Sequence, residues 1–213
     1  MSKKVLLAGE SWMSYTTHVK GFDSFYTSTY ETGEKWLKAA LEAGGYEVTF
    51  LPNHLANEEF PFTMEELKQY DLVILSDIGA NTLLLPGATF NRSEKMPNRC
   101  NLIRDYVNDG GALLMVGGYL TFSGVDAKGK WHDTAVQEVL PVEVLTVDDR
   151  MEHCEGVKPV TVPKVFFIFF AKTEIYKKIC LLGGVHPLIP LFTISNTRSS
   201  IFHQGCLRLM VLT

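Results

Sequence analysis

Residues 112–116, Ala-Leu-Leu-Met-Val, form a short, wholly apolar run that ends at Gly117-Gly118. A run of that length without a polar residue reads as a strand buried on both faces, the kind found inside a parallel sheet. The paired glycines then let the backbone turn sharply. In open α/β folds this turn, just past the carboxyl end of a central strand, is where a nucleophile elbow presents a catalytic Ser or Cys. Here the tip reads Gly118-Tyr119-Leu120, with no thiol or hydroxyl nucleophile. Thr121 and Ser123 follow without an elbow signature.

The segments before that run alternate between strand and helix patterns. Strands are expected at residues 4–9, 46–51, 71–75 and 112–116, the first, third and fourth of them central. Residues 10–23 are read as a polar, aromatic loop. Thr32 is expected to cap a helix through Trp36, Leu37, Ala40 and Leu41, stopped by Gly44-Gly45. Thr63-Met-Glu-Glu66 has the capping-box pattern and opens a short helix to Tyr70. Residues 98–108 are amphipathic, with Leu102, Ile103, Tyr106 and Val107 on one side. The alternation implies an α/β fold with a mainly parallel, doubly wound sheet. In such folds ligands sit beyond the strand carboxyl ends, where the loops 10–23, 76–81 and 117–124 should converge.

Composition narrows the function classes. At 213 residues and 46% hydrophobic, the chain can bury a core without disulfides. A net charge of -4 argues against nucleic-acid or anionic-membrane partners. Cys100, Cys154, Cys180 and Cys206 are too scattered for a CxxC pair or a zinc site. Met1-Ser-Lys-Lys leads straight into a strand, so no signal peptide is expected and the cytoplasm is the expected compartment. Residues 179–194 are apolar, but Gly183, Gly184, Pro187 and Pro190 break them too often for a membrane span. No cofactor or metal motif is present, so neither is expected.

Character changes near Pro163. Residues 164–213 carry a net charge of +5, leaving -9 for residues 1–163, and their periodicity is poor. The chain is therefore divided into a domain, 1–163, and a divergent carboxyl-terminal tail, 164–213. The tail is expected to pack poorly, as a frameshifted or otherwise aberrant carboxyl terminus would. A basic docking surface is the alternative.

Several motifs, taken in order, carry a family resemblance. They are Gly9-Glu-Ser-Trp12, His18-Val-Lys-Gly-Phe-Asp23, Met115-Val-Gly-Gly-Tyr-Leu-Thr-Phe-Ser-Gly124, Lys128-Gly-Lys-Trp-His132 and Val139-Leu-Pro-Val142. Over roughly residues 3–160 the chain resembles a family of bacterial cytoplasmic proteins in the class I glutamine amidotransferase-like superfamily. The resemblance implies a flavodoxin-like three-layer α/β/α sandwich. A working glutamine amidotransferase needs an elbow thiolate, a His oriented by a carboxylate, and N–H groups for the oxyanion. This elbow has no Cys. Cys100 stands near a helix start, where the dipole can lower its pKa, but it lies on the wrong side of the sheet.

Site candidates are weighed against plainer roles. Glu10 is a ligand acceptor or general base, or else a solvated turn carboxylate. Ser11 adjoins it, and Trp12 stacks on a ligand or simply packs. His18 and Lys20 belong to the same loop, where a lone His is more often structural. Asp77 recognises a polar ligand or shapes a turn, and turn chemistry is preferred for Asn81. Gly117 and Gly118 shape the backbone and offer N–H groups to an anion. Tyr119 stands in the nucleophile's place. His132 reaches over the elbow, or Asp133 and Thr134 merely cap the next helix.

Three functions stay open at this point. One is a domain without the thiol that binds a small polar molecule such as a sugar or amide. Another is a hydrolase or lyase using Glu10, His18 or His132 as acid and base. The third is a structural subunit of a homo-oligomer.

Overall fold

The computed structural model describes residues 2–150, Cys154 and, as backbone, 208–212. Four parallel strands form the sheet: β1 (Lys4–Gly9), β4 (Glu47–Leu51), β5 (Leu72–Ser76) and β6 (Ala112–Gly117). With a fifth strand, β7 (Arg208–Leu212), the order is β4-β1-β5-β6-β7, so the three most continuously apolar strands are central and β4 is at the edge. Helices α1 (Lys35–Ala43), α2 (Asn53–Glu59), α3 (Met64–Leu67), α4 (Ala80–Leu84), α5 (Gly87–Arg92) and α6 (Arg99–Asn108) fill the crossovers. This is the flavodoxin-like arrangement, doubly wound about its first strand.

Alternate residues along the central strands feed two cores, as the period-2 pleat requires. Leu6, Ala8, Val73, Leu75, Leu113 and Met115 pack with residues of α2, α3, α4 and α6. Val5, Leu7, Ile74, Leu114 and Val116 face the other way, with Leu37 and Leu41 of α1 packed against them. Each fully covered Leu, Ile or Val contributes about 1.5–3 kcal/mol relative to exposure, which is why the apolar runs dictate the sheet centre.

Two helix starts follow the sequence signals. Thr63 and Glu66 form the reciprocal capping box of α3. Asn98 caps α6 by accepting from the Cys100 and Asn101 N–H groups, and Ile103, Tyr106 and Val107 of α6 are buried. Arg99 is buried too, despite its charge. Its Nε–H donates to the Leu83 carbonyl at 2.7 Å. Its other nitrogens donate to Ala56 and Thr82 carbonyls at 3.2 Å each. The guanidinium thus clamps backbone from α2 and α4 onto α6 and lies 4.5 Å from the centre of the Phe62 ring.

Three segments depart from expectation. Residues 10–23 do not form a loop: β2 (Ser11–Lys20) and β3 (Asp23–Thr32) make an antiparallel hairpin in uninterrupted register. Thr32 closes β3, and α1 starts after Glu34 without a side-chain cap. Asn81 lies inside α4, not in a turn. In the tail, β7 (Arg208–Leu212) pairs antiparallel with β6. The expectations for residues 155–207, including Cys180 and the Phe-rich run 166–170, lie outside the described residues.

Candidate functional site

The strand order reverses between β1 and β5, and doubly wound folds bind ligands in the crevice beyond such a switch point. Two carboxylates flank it. Glu10 follows β1 with φ +47, and Asp77 follows β5 with φ +45. The left-handed region is unfavourable for L-residues with a Cβ, and such strain clusters at functional sites. Local bonds hold both residues there. The Glu10 N–H donates to the Ser76 carbonyl, and the Gly33 N–H donates to the Glu10 carbonyl, both at 2.8 Å. The Asn53 amide donates to the Ser11 carbonyl at 2.8 Å and the Asp77 carbonyl at 3.0 Å. Gly9 is obligatory beneath them: its φ is +114, and a Cβ there would lie 1.8 Å from the Ser76 carbonyl oxygen.

Burial raises the pKa of Glu10. The bond from the Ser76 hydroxyl opposes this, while the charges of Asp77 and Glu34 reinforce it. Burial likewise raises Asp77, against hydrogen bonds from the Leu120 and Tyr119 N–H groups. Among the described residues no Lys or Arg forms an ion pair with either carboxylate.

The elbow differs from the expected anion site. Residues 117–120 all avoid positive φ, whereas Phe122, later in the same loop, adopts φ +59, as Glu10 and Asp77 adopt +47 and +45. The Leu120 N–H donates to Asp77 Oδ1 at 2.9 Å, and the Tyr119 N–H donates to the same carboxylate. The donors a glutaminase would aim at an oxyanion here hold the protein's own anion. Gly118 permits this approach, since a Cβ would lie 2.4 Å from Asp77 Oδ1. Cys100 offers no substitute: burial overrides the helix-start effect and pushes its thiol up to about 12.

The structure therefore gathers Glu10, Ser11, Asp77, Gly117, Gly118 and Tyr119 around the strand ends. Ser11 is buried and its hydroxyl accepts from the Asn53 N–H at 2.8 Å, a positioning role. Trp12 stands beside Glu10, since a Cβ on Gly33 would meet Glu10 Oε2 at 2.4 Å and the Trp12 ring at 3.5 Å, and the remaining candidates lie elsewhere. Trp12 donates to Glu31 across the hairpin at 2.9 Å. His18 stacks on Phe25 at 4.4 Å, and Lys20 lies 5.7 Å from the same ring, both near the hairpin tip. Eight residues separate Lys20 from Trp12, roughly 27 Å along an extended strand. His132 donates through Nδ1 to the Val144 carbonyl at 2.7 Å and faces Asp133 at 3.3 Å. Asn53 was missed; its signal is Pro52-Asn53 directly after a strand, where a helix start is favoured. A cavity of about 480 Å³ lined by Thr49, Glu58, Phe60 and Tyr70 includes none of the candidates. Among the described residues no cluster of three His, Cys, Asp or Glu side chains fits a metal, and no helix is long and apolar enough to cross a membrane.

A flavodoxin-like sheet with a sharp turn after its fourth parallel strand is consistent with the glutamine amidotransferase-like class. A family model described as "Putative glutamine amidotransferase" matches residues 4–178, and the chain belongs to that family. Two solved structures are similar. Cytoplasmic Protein STM3548 from Salmonella typhimurium is 45% identical, with TM-score 0.70, over 74% of this chain and 65% of that one. Cytoplasmic Protein STM1381 from Salmonella typhimurium LT2 is 46% identical, with TM-score 0.72, over 75% and 65%. The chain thus spans about 65% of the length of each. No curated protein matches.

Proposed function

We propose that this domain binds a small polar molecule at the β1/β5 switch point, in the cytoplasm, and does not hydrolyse glutamine through a thiol. The observation that carries this reading is the Asp77 carboxylate seated on the Tyr119 and Leu120 N–H groups of an elbow without cysteine. An oxyanion forming there would displace a fixed negative charge or be repelled by it. Hydrogen-bond donors on the ligand fit the site better: Glu10 and Asp77 supply acceptors, and among the described residues no cation pairs with them. Polyols, amino sugars and primary amides are the corresponding chemistries.

A thermal-shift screen of those three classes tests the reading. A ligand at 100 times its Kd adds about 2.7 kcal/mol to the folded state. The shift should disappear in Glu10→Gln and Asp77→Asn proteins that remain folded. A ligand whose shift survives both substitutions would refute the location. The raised pKa values of this pair also favour a second reading, acid–base hydrolysis or elimination without cysteine. Turnover of the ligand so found, lost in Glu10→Gln, would select it.

A further inference from the structure

The β2–β3 hairpin projects two ten-residue strands, joined by Gly21-Phe22, whose faces differ in chemistry. One face carries its charges: Lys20, Asp23 and Glu31. Its aromatic groups are already engaged, since Trp12 and Ser14 donate to Glu31 and His18 stacks on Phe25. The opposite face holds Met13, Tyr15, Thr17 and Val19, paired with Tyr30, Ser28, Tyr26 and Ser24, and carries no charge. Its five large side chains remain open to solvent: Met13 45%, Tyr15 77%, Val19 70%, Tyr26 73% and Tyr30 47% exposed.

A two-stranded hairpin is marginally stable alone, and one whose apolar face meets water is less so. Among the described residues, support from the domain comes at its base, where Tyr30 meets His54 edge-on at 5.2 Å. We propose that the uncharged face of this hairpin packs on the same face of a second copy of the chain, making a two-fold dimer arm. A two-fold interface is self-complementary, and a face without charge meets its own image without repulsion. The area also fits. Large side chains bury about 150–250 Å² each, so these five expose about 600 Å² per copy. Two copies would then bury about 1,200 Å² in all, the lower end for specific interfaces. An anionic lipid surface would want Lys or Arg on this face, and there is none. The proposal is independent of what the strand ends bind.

Sedimentation velocity on the full chain, over about 1–100 µM to span the affinity such an area supports, tests it. The protein should be dimeric in the upper range. Tyr15→Asp with Tyr26→Asp should weaken the dimer by about a hundredfold or more, because charges would be buried in an apolar contact. Thr16→Asp with Thr29→Asp puts the same charge on the opposite face and should leave the dimer intact. Amide exchange of β2 and β3 in both variants establishes that the hairpin is still formed. A monomer at every concentration, a dimer insensitive to the Tyr pair, or equal loss in both variants overturns the proposal. So does Tyr-pair dissociation accompanied by hairpin unfolding that the Thr pair does not show.

Discussion

Replacing Arg99 with Met removes the guanidinium that ties α6 to α2 and α4. Three carbonyls lose a donor, but unequally. The Thr82 carbonyl keeps the Asn57 amide at 3.1 Å, and the Ala56 carbonyl keeps the Phe60 N–H at 3.3 Å. The Leu83 carbonyl has no ready replacement: residue 86 is Pro, and the Gly87 N–H already donates to Glu58 at 2.7 Å. One buried, unsatisfied carbonyl costs about 1–3 kcal/mol. Lost stacking over Phe62 adds about 1–2 kcal/mol. Against this, burial already pulls the Arg99 pKa down to about 10, and the apolar Met escapes that penalty. The net expectation is a loss of about 2–4 kcal/mol, a large part of the usual 5–15 kcal/mol of a domain. Urea unfolding should show a lower midpoint with an unchanged slope. Arg99→Lys should lose nearly as much, since an ammonium cannot span three carbonyls in a fixed fork. A Met variant within about 0.5 kcal/mol of the parent would refute the clamp, since that is the range of neutral surface changes.

Two further predictions concern the strand ends. Because burial raises the Glu10 pKa, the ionised form destabilises the fold once pH exceeds the ordinary carboxylate range; protonation removes that cost. Glu10→Gln should therefore raise Tm at pH 7–8, and its advantage should shrink toward pH 4; an equal advantage at both would contradict the assignment. Gly118→Ala should cost about 1–3 kcal/mol by overpacking against Asp77, measured as a lower urea midpoint. A neutral effect would mean that the elbow and Asp77 are not in contact.

The parallel sheet was legible because its central strands are continuous apolar runs, and such runs leave little choice but burial. The hairpin was not, because its strands mix Tyr, Thr and Ser with single apolar residues, a pattern shared by loops. Gly21 at φ +62 and the β-formers on either side were the available signal. The short helices α2 and α5 follow Pro52 and Pro86, which hold their N-cap positions, but neither has a side-chain cap to advertise it. Asp77 was legible as a candidate at the end of its strand. Its place on the elbow N–H groups was not, since that depends on β5 and β6 lying side by side. The burial of Arg99 was not legible, because sequence cannot reveal three carbonyls brought together from two other helices.

Ammonia release from glutamine by the purified protein is the most direct test of the thiol-free elbow. No turnover above the buffer rate is expected, and a glutamine-analogue electrophile should label nothing in the native protein. Without a covalent nucleophile, each positioned acid or base supplies only about 10²–10⁴-fold. Turnover lost in Cys100→Ala would mean the elbow is misplaced. Robust turnover surviving alkylation of every cysteine would reveal another nucleophile, and either result contradicts the account.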